Sequence, residues 1–150
     1  MKRMLSLILI SVVLLCMLPV QSNAVEASEK TVYFEDGSYM TVEVFSMEMR
    51  ASGSVSGSKP YTYYNGSGDA LWKAVVTGSF TYTGSSATCN SASVSVTVFD
   101  SNWYTISKSA AKSGSTATAS VTMGEKRAGV TVTKLPVSLS LKCDKNGNLS

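Results

Sequence analysis

Few residues of this chain have types and spacings that could perform chemistry. The 150-residue sequence contains no histidine, which excludes Ser-His-Asp and Cys-His catalysis and imidazole metal sites. Cys89 and Cys143 are too few to fill a structural zinc site, which takes four Cys or His ligands. No glycine-rich phosphate loop stands between a strand and a helix. We therefore predict no catalytic, cofactor-binding or metal-binding residue, and no cofactor.

Carboxylates offer one remaining enzymatic route. Asp69, Asp100 and Glu125 stand at the ends of predicted strands, where a glycosidase could place its acid and its base. Each also lies in a turn, where such residues are common for backbone reasons. Because the sequence does not specify a pair, we predict a protein that is not an enzyme. A carboxylate-based glycoside hydrolase is kept as an alternative.

Tyrosines are the candidates for ligand binding. The stretch "PYTYYNG" places Tyr61 and Tyr63 on one face of a strand and Tyr64 on the other. Tyrosines are favoured at recognition surfaces, and their flat rings can stack on sugars. The alternative is that Tyr61 and Tyr63 line the core, as we expect of Trp72 and Trp103. We predict a ligand-binding patch formed by Tyr61, Tyr63 and Tyr64.

The amino terminus predicts export. A short basic stretch, "MKR", precedes the apolar run "MLSLILISVVLLCMLPV" and a small-x-small site that ends at Ala24. This order is typical of a secretory signal peptide with cleavage after Ala24. An uncleaved anchor, a lipoprotein at Cys16 and cleavage after Ala27 are alternatives. We expect a secreted or extracellular protein. Association with the cell wall is compatible with this expectation.

Charge excludes one class of partner. The chain has 13 basic and 10 acidic residues, and removal of residues 1–24 leaves 11 and 10. Nucleic-acid binding requires a denser basic stripe with aromatic residues for base stacking. We predict no nucleic-acid partner, and an extracellular protein or carbohydrate as the ligand.

Hydrophobic residues alternate with polar ones along most of residues 60–143. In "LWKAVVTGSFTY" Trp72, Ala74, Val76 and Phe80 share one face, and "SASVSVTVF", "STATASVTM" and "LPVSLSLKC" repeat the pattern. Period-two alternation separated by short polar turns predicts antiparallel strands with one buried face. We predict an all-β fold, an immunoglobulin-like antiparallel β-sandwich of seven to eight strands, with a barrel as the alternative.

Length and turns divide the chain. We expect residues 1–24 to be the signal peptide and residues 25–150 to form one sandwich domain, because 126 residues support a single core. Within it we predict an acidic amino-terminal hairpin over 31–47, a linker over 51–59 and the main strands over 60–143. A three-residue hairpin loop, 36–38, would set Phe34 opposite Met40 and Val32 opposite Val42.

Two quoted stretches carry a resemblance. "GDALWKAVVTGSFTYTGSSATCNSASVSVTVFDSNW" and the closing "LSLKCDKNGNLS" resemble uncharacterised small secreted proteins of Gram-positive, Firmicutes-type bacteria. The resemblance covers most of residues 60–150. It implies a secreted β-rich protein with two cysteines in similar places, and it implies no activity.

The two cysteines of the exported chain form a candidate cross-link. Cys143 continues the inward face of the last strand, and Cys89 stands early in its strand after the "TGSS" turn. Disulfides persist in oxidising compartments. We predict a structural Cys89–Cys143 disulfide, with two buried free thiols as the alternative.

By elimination, we expect a secreted or cell-surface non-catalytic binding module. Alternating Ser/Thr and Val/Ala is also the pattern of a pore-forming hairpin, so a membrane-active, toxin-like β protein is an alternative. Apart from that alternative, we expect contact with a membrane only during export.

Overall fold

The computed structural model describes residues 27–45 and 52–150, which form eight β-strands. The strands are β1 (Ala27–Tyr33), β2 (Tyr39–Phe45), β3 (Gly53–Tyr64), β4 (Ala70–Tyr82), β5 (Ala87–Val98), β6 (Trp103–Ser113), β7 (Thr116–Arg127) and β8 (Val130–Lys142). This part of the chain contains no helix long and apolar enough to cross a membrane. The all-β prediction is confirmed. The signal peptide and its cleavage site at Ala24 lie outside the described residues.

The strands form two antiparallel sheets that pack face to face. Sheet A has five strands in the order β1-β2-β3-β4-β5, and sheet B has three in the order β6-β7-β8. Within each sheet, every strand therefore pairs with its neighbours in sequence. The sandwich is confirmed, but its connections form a simple meander, without the crossovers of the Greek-key connections in immunoglobulin domains.

The core lies between the sheets and follows the predicted alternation. On β4, Trp72, Ala74, Val76 and Phe80 are fully buried. On β7 and β8 the buried side chains are Ala117, Ala119, Val121, Met123, Leu139 and Leu141. Trp103 is also buried, so both tryptophans are core residues as predicted.

The amino-terminal hairpin forms with a longer loop than predicted. Strand β2 begins at Tyr39, directly after the predicted loop, but Val32 pairs with Met40 and Tyr33 with Tyr39, a register shift of two residues. The loop closes through a hydrogen bond from the Phe34 N–H to the Ser38 carbonyl (2.9 Å), and Gly37 adopts a positive φ of 82°. A shift of two keeps every side chain on its predicted face.

The prediction of a linker over 51–59 is wrong from residue 53 onward. Residues from Gly53 onward belong to β3, and they pair with β4 from Gly53 opposite Tyr82 to Lys59 opposite Val76. The Gly/Ser composition has low intrinsic strand preference, but the adjacent strand supplies a complete backbone ladder. The partner strand therefore overrides the local composition.

The two sheets do not cover each other fully. No Cα atom in the described parts of β1 and β2 lies within 8 Å of one in sheet B, which packs instead on β3, β4 and β5.

At the outer edge of β8 in sheet B, the N–H and C=O groups of Ser140 both form hydrogen bonds with the Tyr61 hydroxyl, and the backbone of Lys142 pairs with that of Ser150. Pro136, on the same strand, has no N–H to offer. Strand β8 is thus closed to further strand pairing at these positions.

Candidate functional site

A cleft of about 330 Å³ opens at the end of the sandwich where four connections meet. We call it the loop-end cleft. It is bounded by the β1–β2, β3–β4 and β5–β6 loops and by the β7–β8 hairpin. Its lining residues are Asp36, Ser38, Tyr63, Asn65, Gly66, Leu71, Asp100, Trp103, Glu125, Arg127 and Thr133. The volume is at the lower end of the range for small-ligand pockets.

The buried part of the cleft is aromatic and held rigidly. The Tyr63 ring stacks on Trp72 with 5.2 Å between centroids and meets Trp103 edge-on at 5.5 Å. The Tyr63 hydroxyl donates a hydrogen bond to the Ser38 Oγ (2.9 Å). Burial raises the pKa of Tyr63, and the negative charges of Asp36 and Glu125 raise it further. Trp72 is also the one described residue with a buried side-chain nitrogen, Nε1, that lacks a hydrogen-bond partner.

Three carboxylates line the rim. Asp36 Oδ1 accepts hydrogen bonds from the Ser38 hydroxyl and N–H, which lower the pKa of Asp36. Asp100 Oδ1 accepts a hydrogen bond from the Asn102 N–H (2.8 Å). The second oxygens of Asp36 and Asp100 have no hydrogen-bond partner among the described residues. They are free to accept hydrogen bonds from a ligand.

Glu125 is already engaged within the protein. Its Oε1 accepts a hydrogen bond from the Arg127 Nε and its Oε2 accepts one from the Thr133 hydroxyl, both at 3.0 Å. The structure therefore brings two of the three sequence candidates, Asp100 and Glu125, into one cleft. Asp69 does not line it, because its carboxylate accepts a hydrogen bond from the Asn65 side-chain amide (2.9 Å). In the described part of the chain, no group of three or more Asp, Glu, Cys or His residues could hold a metal ion.

The predicted tyrosine patch does not lie on one surface. Tyr61 and Tyr63 are buried, and Tyr64 is half-buried. Burial raises the pKa of Tyr61, whose hydroxyl bridges to Ser140 on sheet B. The alternative interpretation, core residues, thus describes the positions of Tyr61 and Tyr63. Their role in ligand binding stays untested.

Tyr64 instead belongs to a row of tyrosines on the outer face of sheet A. Tyr33, Tyr39 and Tyr64 are directly opposite one another on β1, β2 and β3. The rings of Tyr39 and Tyr64 are stacked with centroids 4.8 Å apart, and Tyr33 contacts Tyr39 at 5.7 Å. Tyr33, at the outer end, is 75% exposed. Sequence reasoning missed this row because it depends on the hairpin register.

The predicted disulfide is absent from this structure, in which Cys89 and Cys143 are buried free thiols. Both cysteines flank the β6–β7 turn, since their N–H groups donate to the Gly114 and Ser115 carbonyls. The Cys89 thiol donates to the Ser91 carbonyl and the Cys143 thiol to the Asp144 carbonyl. Burial raises the pKa of both thiols, which disfavours the reactive thiolate. The arrangement is that of the alternative, two buried thiols.

Comparison with known proteins adds little to this description. No protein-family model matches the chain, and no curated protein matches it. Among solved structures, the chain is similar to a hypothetical protein, lmo2686, of Listeria monocytogenes EGD-e. The identity is 15%, the TM-score is 0.49, and the alignment covers 83% of this chain and 91% of the Listeria chain.

Proposed function

We propose that the protein is a secreted or cell-surface non-catalytic binding module whose ligand occupies the loop-end cleft. The observation that carries the proposal is the meeting of four chain connections around one cavity that has a rigid aromatic base and carboxylates on its rim. Loops carried on a rigid sandwich are a common location for recognition residues.

The chemistry of the cleft favours a saccharide ligand. The unengaged oxygens of Asp36 and Asp100 can accept hydrogen bonds from sugar hydroxyls, and the Arg127 guanidinium has further N–H donors beyond the one given to Glu125. Aromatic side chains supply the apolar contact that the C–H face of a sugar requires. Outside the cleft, Tyr33 presents an additional exposed ring.

The test is binding to a panel of bacterial and plant polysaccharides. Asp100→Asn and Asp36→Asn should each weaken retention about tenfold, because a neutral amide replaces a charged acceptor. Glu35→Gln is the matched control: it removes one charge from the same loop as Asp36 but does not line the cleft. Equal retention of Asp100→Asn, Asp36→Asn and the Glu35→Gln control would contradict the proposal.

Glycoside hydrolysis is a second candidate because Asp100 and Glu125 line the same cleft. A hydrolase requires one carboxyl group as acid and another as base or nucleophile. The test is the release of reducing ends from the polysaccharides that bind. Activity that is lost in both Asp100→Asn and Glu125→Gln would replace the binding-module proposal with hydrolysis.

Pore formation is tested by dye release from liposomes. The apolar residues of the alternating stretches on β5 and β7 face the core, where Ala117, Ala119 and Val121 are buried. A pore would therefore require these strands to turn their core face towards lipid. Dye release by the folded protein would contradict the binding-module proposal.

A further inference from the structure

The inner face of the amino-terminal hairpin is apolar and uncovered by sheet B. Val32 is 44% exposed and Phe34 is 37% exposed, and Val42 is half-buried on the neighbouring strand. No Cα atom in the described parts of β1 and β2 lies within 8 Å of one in sheet B, so this face is open at Val32 and Phe34, although Met40 beside them is buried in the core. We call it the N-terminal shelf and define it by Lys30, Val32, Phe34, Val42 and Lys59.

Two lysines stand at one end of the shelf. Lys30 pairs with Val42, Val42 pairs with Tyr61, and Lys59 is two residues before Tyr61, so Lys30 and Lys59 share the inner face. The Lys59 Nζ lies 5.9 Å from the centroid of the Tyr61 ring. Burial lowers the pKa of Lys59, and the positive charge of Lys30 lowers it further.

Neither lysine has a carboxylate partner among residues 27–45 and 52–150. Within the described residues, the one ion pair is that between Arg127 and Glu125 on sheet B, and it involves neither lysine. Two like charges close together without a counter-charge repel each other, and an anion between them would relieve the repulsion. The shelf therefore combines an apolar surface with two positive charges that no acidic side chain of the described residues neutralises.

We propose that the N-terminal shelf binds an anionic amphiphile, a molecule with an acyl or alkyl chain and a phosphate or carboxylate head. The chain lies along Val32, Phe34 and Val42, and the head lies between Lys30 and Lys59. Four residues of strand separate Lys30 from Phe34, which gives the shelf a length of about 14 Å.

The open side of the shelf favours an alkyl chain over a peptide strand. A peptide laid on the face of a sheet would leave its backbone N–H and C=O groups without partners. The nearest strand edge, that of β8, is closed at Ser140 and Lys142. An alkyl chain has no such polar groups to satisfy.

The experiment is isothermal titration calorimetry of the folded protein with dodecyl phosphate below its critical micelle concentration. We expect saturable binding that is at least tenfold tighter than that of inorganic phosphate or of the uncharged dodecyl maltoside. Lys30→Ala/Lys59→Ala should weaken the binding of dodecyl phosphate about 25-fold, since each cation near an anionic head contributes about fivefold. Val32→Ser should weaken it without changing the response to inorganic phosphate.

The matched control is Lys108→Ala/Lys134→Ala, which removes the same charge from exposed positions on sheet B. It should bind dodecyl phosphate as the unaltered protein does. Circular dichroism melting of each variant establishes that it folds. Absence of binding by the unaltered protein, or equal loss in the shelf and control variants, would overturn the proposal. Tighter binding of an acidic, valine-rich peptide than of dodecyl phosphate would assign the shelf to a protein partner instead.

Discussion

At the scale of single residues, one hydroxyl group joins the two sheets. The Tyr61 hydroxyl donates a hydrogen bond to the Ser140 carbonyl (3.0 Å) and accepts one from the Ser140 N–H (3.2 Å). At this residue of β8 it therefore takes the place of the backbone groups of a neighbouring strand. Its ring is buried. A phenylalanine at this position would fill the same space and leave both backbone groups without a partner.

Tyr61→Phe should therefore lower the free energy of unfolding by about 0.5–1.5 kcal/mol, the usual net contribution of a hydrogen bond, because Ser140 is exposed and water can reach its backbone groups. Tyr64→Phe is the matched control, because no hydrogen bond from the described residues involves the Tyr64 hydroxyl, and the change should stay within about 0.5 kcal/mol. Urea denaturation of both variants measures the difference. Equal midpoints would show that Tyr61 does not carry the contact between β3 and β8.

The reactivity of the two cysteines, Cys89 and Cys143, can be predicted from their burial. Both thiols are buried and have raised pKa values, so iodoacetamide at pH 8 should label them at least tenfold more slowly in the folded protein than in urea. Labelling in urea without reductant separates the two states that the sequence allows. Two labelled cysteines at positions 89 and 143 correspond to the thiols of this structure, and none corresponds to the disulfide.

Asp144 organises the carboxyl-terminal turn and should make stability depend on pH. Its carboxylate accepts hydrogen bonds from the side-chain amide and N–H of Asn148 and from the N–H of Asn146, and these bonds lower the pKa of Asp144. Its pKa is thus lower in the folded than in the unfolded protein. The stabilisation is present above the unfolded pKa, about 4, and is lost as pH falls through the folded value.

Asp144→Asn should accordingly lower the urea midpoint at pH 7 and have a smaller effect at pH 3. Glu35→Gln serves as the control, since the exposed Glu35 side chain makes no hydrogen bond within the part of the chain that the structure describes. A midpoint difference between Asp144→Asn and the unaltered protein that stays constant from pH 7 to pH 3 would contradict this assignment.

At the scale of elements, the close approach of the sheets depends on a glycine in β4. A Cβ atom at Gly78 would lie 2.7 Å from the Phe80 Cζ and 3.0 Å from the Ala117 Cβ of sheet B. Phe80 is fully buried and Ala117 is fully buried, so neither can move without opening the interface. A larger residue would separate β4 from β7.

Gly78→Ala should cost about 1–3 kcal/mol of stability, the typical cost of overpacking a core. Gly124→Ala is the comparison: its Cβ would lie 2.7 Å from the ring of Tyr104, a partly exposed side chain held by a hydrogen bond to Thr131 and less confined than the buried Phe80. The second variant should lose less stability than the first in thermal melting. The reverse order would show that the packing of β4 on β7 is looser than the structure indicates.

The elements also show what the sequence could predict. Alternation identified β4, β7 and the buried half of β8, because a side chain on a strand needs only its own phase to be assigned a face. The register of Tyr33 on Tyr39 and the strand over 53–59 were missed, since both depend on a partner strand. The loop-end cleft could not be predicted from the sequence either, because Asp36, Asp100 and Glu125 come together only where four connections converge in the fold.

At the scale of the whole molecule, each sheet is one continuous piece of chain. Sheet A ends at Val98 and sheet B begins at Trp103, so one exposed loop joins two complete sheets. Each sheet buries its apolar face only against the other. Separated pieces should therefore be unstable alone and should associate when mixed.

Fragments 27–100 and 101–150 should each lack a cooperative melting transition, and an equimolar mixture should regain one together with the β-sheet spectrum. The control is a cut between Ser120 and Val121, which interrupts β7 and divides sheet B between the fragments. The control fragments should not recover a common transition. Recovery with both cuts would show that association does not require intact sheets.

The closed edge of β8 limits how copies of this molecule can assemble. A fibre made by strand addition needs two different open edges, so that each copy presents one edge and receives the next. Here Tyr61 and Ser150 occupy the β8 edge at Ser140 and Lys142, while β1 has a neighbour on one side only. Contact between two β1 edges uses the same surface twice and closes around a two-fold axis. Association through β1 and this part of β8 therefore ends at a pair, and propagation would need a further edge such as that of β5 or β6.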